Sequence, residues 1–191
     1  MKIHYILWIA GGLLLGLVSP PPHAAPSLAG EYQIKAAFLY NFANFINWPE
    51  PILSEPYMNF NICLVGEVPF QKNFDASLQN IKVKKQHDIK VIRYADVEAY
   101  TYGQAGLCQI LYISESLDIN LQEILAIASQ YATLTVSEIA DFVCNGGMIQ
   151  LVKKEDKIRL VMAPDQLASA RLVPDANLLR LSIIKDAQIC P

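Results

Sequence analysis

Histidine is scarce in this 191-residue chain, which has three, two of them (His4 and His23) within the first 25 residues. His87 is then the one imidazole in the rest of the chain, so zinc ligation by two histidines is excluded there, and a Ser-His-Asp relay has a single candidate base. No G-x-S-x-G elbow surrounds Ser114, Ser116, Ser137 or Ser182, so no serine has the context of a nucleophile. Close cysteine pairs of the C-x-x-C kind are missing, which removes the usual zinc and dithiol frameworks. Gly66 ends an apolar run, where a dinucleotide-binding strand would continue into G-x-G-x-x-G. Here the next residues are Glu67-Val68-Pro69-Phe70, and no phosphate cradle is expected. Excess positive charge is lacking too: 15 basic residues stand against 18 acidic ones, a formal net charge of −3, which disfavours nucleic-acid binding. The basic group Lys82, Lys84, Lys85, Lys90 and Arg93 reads as a solvated strand face. Glu155 and Asp156 read as turn residues. These absences leave no catalytic residue, no cofactor and no metal site to expect.

Met1 and Lys2 are followed by an apolar run from Ile6 to Val18 and then by Ser19-Pro20-Pro21-Pro22-His23-Ala24-Ala25. This is the pattern of a secretory leader over residues 1–25, cleaved to leave one domain over residues 26–191. The run is about a dozen residues long, short of the roughly 20 that a spanning helix needs. The first cysteine is Cys63, so no lipid acceptor follows the leader. Cys63, Cys108, Cys144 and Cys190 all lie beyond it, and an even count in an oxidising compartment favours two disulfides. Their spacing leaves all three pairings open.

Apolar periodicity over Glu31–Asn47, with Ile34, Phe38, Phe42, Phe45 and Ile46 on one stripe, predicts a helix that Pro49 stops. Phe60–Gly66 predicts a strand buried on both faces. Phe70, Phe74 and Leu78, four apart, predict a returning helix. Ile81–Tyr94 reads as one or two edge-like strands. Leu107–Ser114 is a further buried strand, Ile119–Gln130 a helix, and Thr133–Val136 a short strand. Met148–Val152 and Ile158–Met162 form a hairpin about the turn Lys153–Lys157. Pro164 opens a helix to about Leu172, and Asp175 caps a last one carrying Leu178, Leu179 and Leu181. Gly146-Gly147 reads as a tight turn with positive φ. The alternation predicts an α/β three-layer sandwich: a mostly parallel mixed sheet, helices on both faces and a C-terminal β-hairpin.

The run Gln33-Ile34-Lys35-Ala36-Ala37-Phe38-Leu39-Tyr40-Asn41-Phe42, with Phe45 and Trp48-Pro49, resembles the opening signature of the YfiR-like family. The resemblance continues through Ile62–Gly66, Cys108–Ser114, Leu134–Ser137, Phe142–Val152 and Lys157–Leu160. Two places depart from the family: Met162-Ala163 stands where Ile-Asn is usual, and Arg171–Asp175 replaces Gly-Leu and Ile-Ser-Ser. The resemblance implies a non-catalytic periplasmic protein that binds and represses a membrane signalling enzyme, a diguanylate cyclase or a sensor kinase. Lower cyclic di-GMP and reduced biofilm formation would follow. It further implies sequestration by a peptidoglycan-associated outer-membrane lipoprotein, and it leaves room for a homodimer. The family's bridge between the first core strand and the Cys-x-Ile-Leu strand falls on Cys63 and Cys108. That leaves Cys144 with Cys190, although the family's second bridge more often lies within the Gly-Gly region. Two such bridges, each closing a loop of about 45 residues, would add roughly 2 to 4 kcal/mol apiece. Tyr40, Asn44 and Trp48, beside the core stripe of the first helix, are the candidate partner-binding residues. The alternative function is a periplasmic small-molecule-binding sensor domain or accessory protein, which would show a pocket of several hundred Å³ at the strand ends.

Overall fold

The computed structural model describes residues 28–50, 52–53, 58–68, 73–78, 80–103, 105–117, 120–186 and 190. The expected leader, Phe70 and Ile119 lie outside these residues. Five parallel strands form the centre of an eight-stranded sheet: β2 (Phe60–Val65), β4 (His87–Tyr94), β5 (Ile110–Ile113), β6 (Leu134–Ser137) and β7 (Ile149–Lys154). Across the sheet they run β4-β2-β5-β6-β7. Antiparallel β8 (Lys157–Met162) follows β7, and β10 (Ser182–Ile184) pairs parallel to β8 at that edge. The two-residue β3 (Lys82–Val83) pairs antiparallel to β4 at the other. A small second sheet joins β1 (Ile46–Asn47) to β9 (Val173–Pro174). The mixed, mostly parallel α/β sheet agrees with the expected fold class.

The sheet is central because its middle strands are apolar on both faces. Every residue of β5 and β6 is buried, and all of β2 but Asn61. Alternation sends Phe60, Ile62 and Leu64 to one layer and Cys63 and Val65 to the other. The first layer is packed by α1 (Leu28–Phe45), α2 (Asn73–Leu78), α5 (Pro164–Ser169) and α6 (Ala176–Leu181), through Leu39, Phe42, Phe74, Leu167 and Leu178. The second is packed by α3 (Val97–Tyr102) and α4 (Leu121–Ser129), through Tyr100, Ile124 and Ala128.

Several boundaries differ from the sequence expectation, each for a local reason. The stripe of α1 is turned: Leu39, Phe42, Ala43 and Ile46 are fully buried, whereas Ile34 is 42 % exposed and Phe38 half-buried. Lys35 faces inward in place of Ile34, because two carboxylates receive its ammonium. The helix ends at Phe45 rather than Asn47, since Ile46 and Asn47 pair with β9. The β7–β8 loop is two residues, not five: Glu155 and Asp156 both have positive φ (51° and 58°), the backbone that a right-handed hairpin twist demands. Helix α5 stops at Ser169, short of Leu172. Asp175 caps α6 as expected, accepting from Leu178 N at 2.8 Å. Unforeseen were α3, capped by Asp96, and the strands β1, β9 and β10. From Ile89 onward β4 has no partner on its outer side among the described residues, so the edge-like reading of Ile81–Tyr94 holds for most of its length.

Cys63 is bonded to Cys108 and Cys144 to Cys190, with Cα–Cα distances of 5.7 and 5.4 Å. The first bridge lies inside the second core layer, where Cys63 and Cys108 are 0 % and 2 % exposed. The second joins two half-buried residues and clips the chain end onto the short helical turn Phe142–Asn145 that precedes β7. At Gly147 an added Cβ would lie 2.2 Å from the Phe142 ring, so that position accepts only glycine without displacing the core. Thiol exchange requires access of the attacking thiolate to sulfur. Mild reductant followed by alkylation and peptide mass spectrometry should therefore label Cys144 and Cys190 first. Labelling of Cys63 and Cys108 should require denaturant.

Candidate functional site

The order of the parallel strands places a topological switch between β2 and β5. The chain leaving β2 goes to α2 on the first layer, and the chain leaving β5 goes to α4 on the second. Such a split opens a crevice at the carboxyl ends of the strands. A cleft of ≈ 790 Å³ lies here, lined by Tyr32, Glu67, Val68, Ser114, Glu115 and Ser116. Gly66 turns the chain out of β2 with φ +88°, and an added Cβ would meet Leu117 at 2.6 Å. The two loops are stitched together: Ser114 Oγ donates to Glu67 O at 2.6 Å, Glu67 N donates to Ser116 Oγ at 3.0 Å, and Ser114 N donates to Val65 O at 3.0 Å. Two of the backbone amides that would cradle a phosphate, those of Glu67 and Ser114, are consumed by these bonds.

Behind Tyr32 lies a buried polar cluster. Lys35 is 2 % exposed; its ammonium pairs with Glu31 at 2.7 Å and with Glu138, and stands 4.3 Å from the Tyr32 ring centroid. Glu138 directly follows β6 and also accepts from the hydroxyl of Tyr112 on β5 and from that of Tyr32 at 3.4 Å. Lys153 on β7 closes the rim with a 2.9 Å bond to Glu31. Two ammonium groups thus face two carboxylates, and one knot ties α1 to β5, β6 and β7.

The knot shifts the titration of four of its members, Glu31, Lys35, Tyr32 and Tyr112. Hydrogen bonds from Lys35 and then Lys153 lower the Glu31 pKa below the usual carboxylate range. Burial acts to lower that of Lys35, but the hydrogen bonds to Glu138 and Glu31 outweigh it, and the net shift is upward. Burial, reinforced by the charge of Glu138, drives Tyr112 far above its ordinary value, and Tyr32 moves the same way. A lysine kept charged and a tyrosine kept neutral are poor bases at physiological pH. The arrangement suits positioning, not proton transfer.

The residues singled out by sequence go elsewhere. Tyr40 is half-buried against the first core layer. Asn44 holds the β3–β4 turn, its Oδ1 accepting from Lys84 N at 3.2 Å and its carbonyl from Lys84 Nζ at 2.7 Å. Trp48 donates to Ala43 O at 3.2 Å and sets its ring edge-on to Phe60, centroids 5.2 Å apart. Asn44 and Trp48 fasten the end of α1, and none of the three lines the cleft. His87 is 2 % exposed, its Nδ1 3.1 Å from Met58 O. In the basic group, Lys82 pairs with Asp88 and Arg93 with Asp75. Sequence reading passed over Glu31, Lys35, Tyr112 and Glu138. The i,i+4 spacing of Glu31 and Lys35 was the available signal; nothing local pointed to Glu138.

Set against known families, the match is to the one described as YfiR/HmsC-like, over residues 32–183. The chain belongs to this family. The matched span takes in the cleft lining, the knot except Glu31, and all eight strands except Ile184. No curated protein gives a significant match. Membership in the YfiR/HmsC-like family is consistent with a periplasmic regulator, and the two disulfides fit an oxidising compartment. No helix among the described residues is long and apolar enough to cross a membrane.

The knot makes a signed prediction. The Glu31 contribution is present above the ordinary carboxylate pKa of about 4.3 and is lost as pH falls through its lowered folded value. The Lys35 contribution is present below about 10.4 and is lost as pH rises through its raised folded value. Lys35→Met leaves Glu138 without its cation and Glu31 with Lys153 alone, and should cost about 2–3 kcal/mol near neutrality. That deficit should shrink below about pH 4, where Glu31 becomes protonated in the variant. Urea unfolding of both proteins across that range checks the size and the sign.

Proposed function

We propose that this protein is a non-enzymatic periplasmic repressor that binds the periplasmic part of a membrane-bound diguanylate cyclase and holds it inactive, lowering cyclic di-GMP. The observation that carries this reading is the family match across residues 32–183, which spans nearly the whole described fold. The bridges and the ion-paired knot support it, since both suit a rigid binding body. Export by a leader over residues 1–25, cleaved to release a single domain over 26–191, belongs to the same proposal. So does release from the cyclase by a peptidoglycan-associated outer-membrane lipoprotein, with a membrane sensor kinase as the alternative target. Tyr40 and Asn44 on α1 and Trp48 just after it are the proposed contacts, and these residues remain partly exposed.

Deleting the gene should raise cellular cyclic di-GMP and surface attachment, and re-expression of the exported protein should reverse both. Unchanged nucleotide levels, with no inner-membrane protein co-purifying, would end the repressor reading. A second reading, a small-molecule sensor, is favoured by one observation: the ≈ 790 Å³ cleft at the strand ends. It requires that a periplasmic metabolite extract raise the melting temperature of the protein, and that Ser114→Trp, which fills the cleft, abolish the shift.

A further inference from the structure

The two edges of the sheet are built differently. On one side β4 turns Asp88, Lys90 and Arg93 to solvent, and the short β3 adds Lys82, the charged treatment that keeps an edge from pairing. On the other, β10 carries no charge of its own. Leu181, Ile183 and Ile184 leading into and along it are 70 %, 53 % and 52 % exposed. Its register sets Ile184 beside Met162 and Ile183 beside Val161, so the two isoleucines stand on opposite faces of the sheet. Lys185 N donates to Met162 O at 2.9 Å. By the alternation of a parallel ladder, Ile184 then points its own N–H and C=O away from β8. Among the described residues nothing pairs with that side of β10.

Charge selects the occupant. From Ile149 to Lys185 the chain carries seven cations against four carboxylates, although the protein as a whole is acidic. Arg159, one residue before the stretch of β8 that β10 pairs with, and Arg180, in the last turn of α6, are exposed, and Lys185 follows β10 half-buried, with exposed Asp186 after it. A second copy pairing edge to edge would bring two such cationic margins together, which costs energy. An extended segment with alternating apolar residues and acidic flanks would meet both the open peptide groups and the field.

We propose that the outer edge of β10 is a strand-addition site for an acidic, extended segment of the protein's membrane partner. Main-chain bonds to Ile184 would supply affinity, the contacts with Leu181, Ile183 and Ile184 would set register, and Arg180 and Lys185 would supply charge selection. This rests on the repressor reading above and names the surface that reading needs.

The test uses the exported full chain and the membrane diguanylate cyclase of the same cell, with co-purification and cyclic di-GMP as readouts. Ile184→Pro removes the outward N–H while leaving the bonds to β8, as an edge position allows. It should weaken co-purification about tenfold or more, whereas Ile184→Ala, which keeps the N–H, should lose about threefold or less. The pair Arg180→Glu and Lys185→Glu should also weaken binding about tenfold; it leaves the Ile184 peptide group intact and serves if Ile184→Pro does not fold. Repression by both variants equal to that of the parent would overturn the edge assignment and leave the repressor reading standing. A parent chain that does not repress would overturn both. A dimer seen by sedimentation and lost in Ile184→Pro would overturn the proposal in favour of self-pairing. Flotation of the parent with anionic phospholipid vesicles, lost in the charge-reversed pair, would overturn it in favour of a lipid surface.

Discussion

A lysine that points into the core decides how this protein is put together. With 2 % of Lys35 exposed, its ammonium must find carboxylates, because an unpaired buried charge costs several kcal/mol. Glu31, one turn earlier, supplies one, and Glu138, after β6, supplies the other. Meeting that demand rotates α1 by about one residue from its most apolar stripe and presses the helix onto β5, β6 and β7. It also stations Tyr32 at the wall of the cleft and gives the hydroxyl of Tyr112 a buried acceptor. A well-packed apolar cluster would hold the helix as tightly. The ion knot adds a definite rotation and register, which is the better attested use of buried charge.

Around that knot the fold is stiffened by covalent and steric means. One disulfide crosses the core beside β2 and β5, and the other pins the chain end near the start of β7. Gly147 lets the chain pass the Phe142 ring, and Gly66 lets it turn sharply out of β2. The outcome is a body whose buried charges, those of Glu31 and Lys35, are paired with their neighbours. The surfaces left for contact are the cleft, the half-buried end of α1 and the edge at β10. That distribution accords with membership in the YfiR/HmsC-like family and with a regulator that works by contact.

The edges show how such a body can be specific. A sheet closed by charge on one side and left apolar on the other can extend in one direction only. The cationic margin of the open side then restricts which strand can complete it.

Much of the fold was legible in the residues themselves. Apolar runs such as Phe60–Val65 and Ile110–Ile113 announced buried parallel strands, since only a two-sided layer hides every residue, and Pro164 and Asp175 announced helix starts by their effect on nearby backbone. Short elements escaped: β1, β9 and β10 have two or three residues each, too few for a period, and exist because a neighbour offers peptide groups. The lining of the cleft and the knot escaped for a related reason. Tyr32, Lys35, Tyr112 and Glu138 lie up to 106 residues apart, and ordinary helix and strand patterns contain all of them. Local chemistry wrote the elements and their capping into the chain. Which lysine turned inward, and which carboxylate met it, was decided only when distant strands were brought side by side, because the energy of a buried charge depends on neighbours that no local window contains.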